Sequence, residues 1–167
     1  MKVKVTPSKV HGNVKIPASK SMAHRALICA SLSDGTSLVS NVTNSKDIEA
    51  TVGCMKALGA IIKQIDGTTY EVTGTNLFKQ EGNITCNANE SGSTLRFLIP
   101  LAACTNAKVK FLGQGRLLQR PMDVYANEFK KQNIEFNQSD KEIIVSGNLQ
   151  AKDYVVQGDI SSQFITG

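Results

Sequence analysis

A chain of 167 residues, 41% hydrophobic and 20% charged, has globular proportions and can bury a core as one domain or two small ones, which excludes disordered and fibrous structure. Its N-terminus alternates apolar with charged residues and no apolar run is long enough to span a bilayer, so a soluble, non-exported, cytoplasmic protein is expected. A net charge of +5 admits nucleic acid, lipid or small anions as partners. The cations are scattered, however, and there is no Trp and only 5% aromatics, so small anions are expected and neither nucleic acid nor membrane is.

In chain order, residues 2–16 alternate like strands, interrupted by Pro7 and Gly12. The period then changes. Residues 20–32 carry Met22, Ala26, Leu27, Ala30 and Ser31 at helical spacing behind Ser19, a predicted N-cap. A strand over 36–42 and a helix over 47–58 follow, with Gly59 as its C′ glycine. Residues 61–65 and 69–72 form a hairpin about Asp66-Gly67.

The same order returns with a strand at 84–86, a helix over 91–103, a strand over 108–112, a helix over 122–131 with Pro121 at its start, and a hairpin of 134–136 with 143–145. Two local matches, Glu71-Val72-Thr73-Gly74 with Ile144-Val145-Ser146-Gly147 and the helix end and strand start at Ala57-Leu58-Gly59-Ala60-Ile61 with that at Lys131-Gln132-Asn133-Ile134, give an offset of 73 residues. A third unit opens with a strand at 154–156 and a helix start at Ser161-Ser162-Gln163. The chain stops at Gly167 with that helix barely begun, so a fragment of a longer repeat protein is expected. Cys29, Cys54, Cys86 and Cys104 contain no CxxC pair, and the first two fall on predicted apolar helix faces. Buried free thiols are expected, with no disulfide and no metal site.

The chemistry gathers at helix starts. Ser19-Lys20-Ser21, Ser91-Gly92-Ser93-Thr94 and Ser161-Ser162-Gln163 each offer hydroxyls and free N–H groups at the positive end of a helix dipole. Lys20 adds a point charge, and Arg25 lies on the same side as Ser21 with a planar fork for phosphate or carboxylate. Gly92 lets a ligand approach the backbone, Arg96 lies on the next turn, and the loop 113–122 brings Arg116 and Arg120. Any one of these is also what a capped helix with solvated cations looks like. Their repetition at equivalent places of one repeat points to anion binding.

Residues 16–27, Ile-Pro-Ala-Ser-Lys-Ser-Met-Ala-His-Arg-Ala-Leu, resemble the P-x-S-K-S-x-x-x-R signature of enolpyruvylshikimate-phosphate synthases. Asn89 to Arg96 resembles the family's second signature, N-[AS]-G-T-[AT]-x-R, Leu117 to Met122 its arginine-proline loop, and Gly158 to Phe164 its Ser-Ser-Gln segment. Two departures are Glu90 in place of Asn and Ser93 in place of Thr. The resemblance implies an α/β fold of two similar domains, each built from three βαβαββ units in an inside-out, barrel-like arrangement. Residues 1–19 would then be strands of, or a linker to, the other domain. Residues 20–167 would hold two units, about 20–75 and 83–147, and the start of a third.

The resemblance further implies transfer of the enolpyruvyl group of phosphoenolpyruvate to the 5-hydroxyl of shikimate 3-phosphate, in the shikimate pathway to aromatic amino acids, without metal or cofactor, in a monomeric enzyme. It implies that Lys20 contacts both substrates as catalytic residue. Ser21, Arg25, Ser161, Ser162 and Gln163 would hold shikimate 3-phosphate, and Gly92, Arg120 and Gln163 phosphoenolpyruvate. The related transferase acting on UDP-N-acetylglucosamine is disfavoured because Asn is expected after the Lys, where Ser21 stands. A basic RNA-binding or RNA-end-processing α/β protein is disfavoured by the lack of clustered cations. Without its second domain this chain is expected to be catalytically silent.

Overall fold

A computed structural model describes residues 2–9, 11–156 and 158–167. Helix α1 (Lys20–Leu32), strand β1 (Thr36–Val39), helix α2 (Lys46–Ala57) and strands β2 (Ile61–Gln64) and β3 (Tyr70–Thr73) form the first unit. Strand β4 (Glu81–Asn87), helix α3 (Gly92–Ala102), strand β5 (Asn106–Leu112), helix α4 (Asp123–Lys130) and strands β6 (Glu135–Gln138) and β7 (Ile143–Ser146) form the second, and α5 (Ser162–Thr166) follows. The second unit is a full βαβαββ set. The first lacks its leading strand among the described residues.

The first sheet has the order β1-β3-β2 and is antiparallel; the second has the order β4-β5-β7-β6, with β4 parallel to β5. Helix α1 packs on α2, β1 and β3, whereas α2 reaches both sheets through β2 and β4 and α3 lies over β5 and β7. The fully buried Leu27, Ile48, Met55, Leu58, Leu95, Leu98, Ile99, Phe111 and Ile143 join these layers into one apolar core.

The repeat is real at the level of hydrogen bonding. Ile61 pairs with Thr73 and Ile62 with Val72, as Glu135 pairs with Ser146 and Phe136 with Val145. Strands β3 and β7 are offset by 73 residues but β2 and β6 by 74, because the loop 65–69 is one residue longer than the loop 139–142. The single expected offset therefore holds only on the second strand of each hairpin. Gly74 and Gly147 close the two hairpins where backbones crowd. A Cβ at Gly74 would run into the Ser33 carbonyl oxygen, and one at Gly147 would lie 3.0 Å from Ile134 Cα.

Other expectations change. No strand forms among the described residues of 2–16, where Val3, Val5, Val14 and Ile16 are exposed, because no neighbouring strand is present to take up their backbone groups. Residues 154–156 likewise stay unpaired: β4 is held by β5, and these residues have no such partner among the described ones. On α1 the apolar face is rotated from the expected one. Ala23, His24, Leu27, Ile28, Ala30 and Ser31 are buried, while Met22, Ala26 and Cys29 are exposed, since α2 covers the side bearing His24. Cys29 is therefore not the buried thiol expected. Cys54 and Cys86 are buried, and the Cys86 neighbour together with burial pushes the Cys54 thiol up. Helix α4 begins at Asp123, so Pro121 precedes the helix by two residues; Met122, 1% exposed with φ −124°, is anchored in the core in a non-helical conformation.

Two glycine substitutions test this packing in denaturant titrations. Gly74→Ala is expected to destabilise by about 1–3 kcal/mol, because a methyl group must displace backbone. Gly53→Ala, inside α2 with no atom within 4 Å of a built Cβ, is expected to stabilise by about 0.5–1 kcal/mol.

Candidate active site

The β4–α3 and β5–α4 connections lie side by side. Ala88 N donates to Leu112 O at 2.8 Å and Gln114 N to Asn89 O at 2.7 Å, so the loop after β5 is laced to the turn before α3. Asn89 makes that turn with φ 53°, a left-handed conformation that Asn tolerates. Ser91 then caps α3, its hydroxyl accepting from Thr94 N at 3.2 Å. Arg120 is brought against Gly92: a Cβ there would collide with Arg120 Nη1. Gln138 fixes the far end of the loop by donating to the carbonyls of Leu118 (2.6 Å) and Arg120 (2.9 Å).

Helix α1 starts at the same side of the molecule. Its cap Ser19 accepts from Met22 N at 3.4 Å, and Lys20 reaches across to Asp47, Nζ to Oδ2 at 2.5 Å. Asp47 stands in the first turn of α2 behind the cap Ser45, where the helix dipole favours a carboxylate. The pair is half exposed, at 56% and 30% of the side chains, so it orients Lys20 and adds at most about 1 kcal/mol to stability.

Arg25 does turn back over Ser21, donating through Nη1 to its hydroxyl (2.8 Å) and carbonyl (3.0 Å). Its other nitrogen donates to Thr166 of α5 at 3.0 Å, and the guanidinium lies 4.8 Å from the centre of the Phe97 ring. Helix α5 is also held by α3. Arg96 Nη1 donates to Gln163 Oε1 and Gln163 Nε2 to Ser93 Oγ, both at 2.8 Å, while Arg96 stacks on Phe164. The Arg96 carbonyl, freed from its helical bond by Pro100, accepts instead from the Tyr125 hydroxyl at 2.7 Å. Ser161 caps α5, and Ser162 is exposed beside it.

The three helix starts foreseen from the sequence thus share one surface, linked through Lys20–Asp47, Arg25–Thr166, Arg96–Gln163–Ser93 and Gly92–Arg120. Burial and then the nearby Arg120 charge lower the pKa of Arg96, so the two guanidiniums are near enough to repel. Like charges held this close favour an anion between them. A pocket of about 150 Å³ borders Arg25, Phe97 and Thr166 but is otherwise lined mainly by apolar side chains, so the polar cluster is an open surface rather than a cavity. Among the described residues no group of three His, Cys, Asp or Glu is placed to hold a metal, and no helix is long and apolar enough to cross a membrane.

A family model for EPSP synthase (3-phosphoshikimate 1-carboxyvinyltransferase) matches residues 4–167. The chain belongs to the EPSP synthase family. It is 47% identical over 167 residues to the 3-phosphoshikimate 1-carboxyvinyltransferase of Clostridium kluyveri, covering 99% of this chain and 39% of that protein. It is 45% identical over 178 residues to that of Clostridioides difficile, covering 99% and 40%. The chain therefore spans about two-fifths of the length of these curated relatives. In fold it is similar to an EPSP synthase from Acinetobacter baumannii, with a TM-score of 0.78 at 19% identity, over 93% of this chain and 37% of that one.

Against the EPSP synthase signatures, the departing Glu90 is turned toward the arginine loop. A Cβ at Gly115 would lie 2.5 Å from its Oε1, and Gly115 has φ +59°. Ser93, the other departure, keeps the hydroxyl that Gln163 needs. Three residues at the centre were missed from sequence: Asp47, Thr51 and His24. An acidic residue in the first turn behind a Ser cap was the available signal for Asp47. Nothing in the spacing marked the other two, which are wholly buried.

His24 Nδ1 lies 2.7 Å from Thr51 Oγ1, while Nε2 has no hydrogen-bond partner. Burial, only partly offset by Asp47 and reinforced by Lys20 and Arg25, lowers the His24 pKa from 6.5 to about 4. The unfolded chain binds its proton near pH 6.5 and the folded chain only near 4, so this residue's contribution to stability is constant above pH 6.5 and lost as pH falls toward 4. The slope is about 1.4 kcal/mol per pH unit at its steepest, roughly 3 kcal/mol in all. Denaturant titrations of parent and His24→Asn between pH 7 and 4 should show this slope in the parent alone.

Proposed function

We propose that this chain is the substrate-binding part of a 3-phosphoshikimate 1-carboxyvinyltransferase of the cytoplasm. In this reading Lys20, Ser21, Arg25, Ser161, Ser162 and Gln163 hold shikimate 3-phosphate, and Lys20, Gly92, Arg120 and Gln163 hold phosphoenolpyruvate. The observation that carries it is the contact of Arg120 with the bare Cα of Gly92, one helix away from the Lys20–Asp47 pair. The arrangement leaves a cation and free helix-start N–H groups where a small carboxylate or phosphate can touch backbone.

The chemistry asked of this surface is electrostatic. Both substrates carry a phosphate and a carboxylate, so bringing them together costs Coulomb energy that Lys20, Arg25, Arg96 and Arg120 offset. The 5-hydroxyl loses its proton to a base and attacks C2 of phosphoenolpyruvate as C3 takes a proton from an acid; the tetrahedral adduct then loses phosphate from C2 and a proton from C3, which restores the double bond. Lys20 is the candidate acid on this side of the site. Arg25 must exchange its bond to Thr166 for the ligand, so α5 adjusts as shikimate 3-phosphate arrives.

Two substitutions in a full-length protein carrying this segment test the assignment. Arg25→Ala should weaken shikimate 3-phosphate binding roughly ten- to a hundredfold, the value of one charge-assisted contact, in a calorimetric titration. Its melting temperature should move by a few degrees at most, since the stacking of the partly exposed Arg25 on Phe97 is worth about 1 kcal/mol. Unchanged affinity would make Arg25 structural. Gly92→Ala should displace Arg120 and weaken the phosphoenolpyruvate analogue glyphosate more than shikimate 3-phosphate. Equal binding of both ligands to parent and variant would remove Gly92 from the site.

A further inference from the structure

Six polar residues are buried among the described ones: His24, Ser31, Thr51, Ser91, Thr94 and Thr105. Two of them are settled locally, Ser31 donating to Leu27 O and Thr105 to Ala102 O, each at 2.7 Å. The other four form a single chain across three helices. His24 Nδ1, Thr51 Oγ1, Thr94 Oγ1 and Ser91 Oγ follow one another at 2.7 Å per step, running from α1 through α2 to α3. Thr94 Oγ1 also lies 3.3 Å from the carbonyl oxygen of Asp47.

The direction of this chain follows from counting protons. If His24 carries its proton on Nδ1, it donates to Thr51, Thr51 to Thr94, and Thr94 to Ser91 Oγ or Asp47 O. Only the lone pair of Nε2 is then left bare. In the reverse direction Nε2 would be an orphaned buried N–H and the Thr94 proton would be turned away from Asp47 O, so the forward order costs less.

A valine has nearly the shape of a threonine, so replacing Thr51 or Thr94 by Val removes a hydroxyl with little change of bulk. Hydroxyls at both places therefore contribute position rather than bulk. The chain reaches the site through Thr94. Ser91 caps the helix that opens with Gly92, and Asp47, whose carbonyl faces Thr94, holds Lys20 with its carboxylate.

We propose that Thr94 is a positioning residue, the hub that fixes the start of α1 with Lys20 relative to the start of α3 with Gly92, and so sets the separation of two anion subsites. The proposal rests on the functional reading above for what those subsites bind, but not for the linkage itself.

The test uses the full-length protein with Thr94→Val, Thr94→Ser and Thr51→Val, and has two arms. In the first, native-state hydrogen exchange is read at the Ala23 and Leu95 amides, which make the first backbone bonds of α1 and α3 to Ser19 O and Ser91 O. Thr94→Val is expected to speed exchange at both amides about tenfold, as loss of one buried hydrogen bond would, and Thr94→Ser to restore them. In the second, the KM for phosphoenolpyruvate should rise about tenfold in Thr94→Val with kcat changing much less, and Thr94→Ser should again recover. Thr51→Val should act in the same direction and serves alone if Thr94→Val does not fold. Unchanged exchange at Ala23, a Thr94→Ser as impaired as Thr94→Val, or faster exchange with an unaltered KM would each overturn the proposal. A parent protein that transfers no enolpyruvyl group would sink the functional reading, and the exchange arm would then decide the linkage by itself.

Discussion

Two strands that run in the same direction cannot be joined by a turn, and the pairing of β4 with β5 shapes everything around it. Their parallel register, Glu81 with Asn106 through Asn87 with Leu112, requires a crossover helix, and α3 supplies it. The helix must begin beyond the carboxyl end of β4, and the loop after β5 must leave from the same edge. The bare start of α3 and the arginines of the loop 113–120 are thus made neighbours by topology before any side chain chooses its partner. The antiparallel first unit lacks this constraint and joins the site through α1 and α2, whose first turns meet at Lys20 and Asp47.

Charge is used here at some cost to the fold. Burial and the nearby Arg120 charge both disfavour the charged form of Arg96, and Arg96 Nε is buried with no hydrogen-bond partner. Stacking on Phe164 and the bond to Gln163 offset part of that cost. A cluster of this kind is poor as a stability device and well suited to a ligand that brings negative charge of its own.

The regular elements could be read from the sequence where the pattern is local. Helix α1 spans the residues its Ser19 cap and periodicity indicate, the first hairpin stands where Asp66-Gly67 marks it, and the second where its two apolar runs do. Patterns that need a partner failed. Alternation over residues 2–16 and the apolar triplet 154–156 express strand propensity, but a strand exists only against another strand. The burial of α1 was misjudged through the same gap, since Met22 and Ala26 look apolar and only the position of α2 shows that His24 faces inward. Of the candidate site residues, Lys20, Gly92 and Gln163 could be picked out by residue type at a helix start, and Arg120 by its place in an arginine-bearing loop. Asp47, Thr51 and Thr94 act through contacts spanning 27 to 47 positions of chain, which no local spacing reveals.

The two hairpins differ by one residue in their loops and keep the same pairing on every rung. A difference in length that leaves the ladder untouched must be absorbed entirely at the tip, with no slip propagating toward the core. The tips at 65–69 and 139–142 are therefore natural hosts for foreign sequence. A short epitope or a fluorophore-bearing cysteine placed there would ride on the molecule without disturbing the strands that carry it.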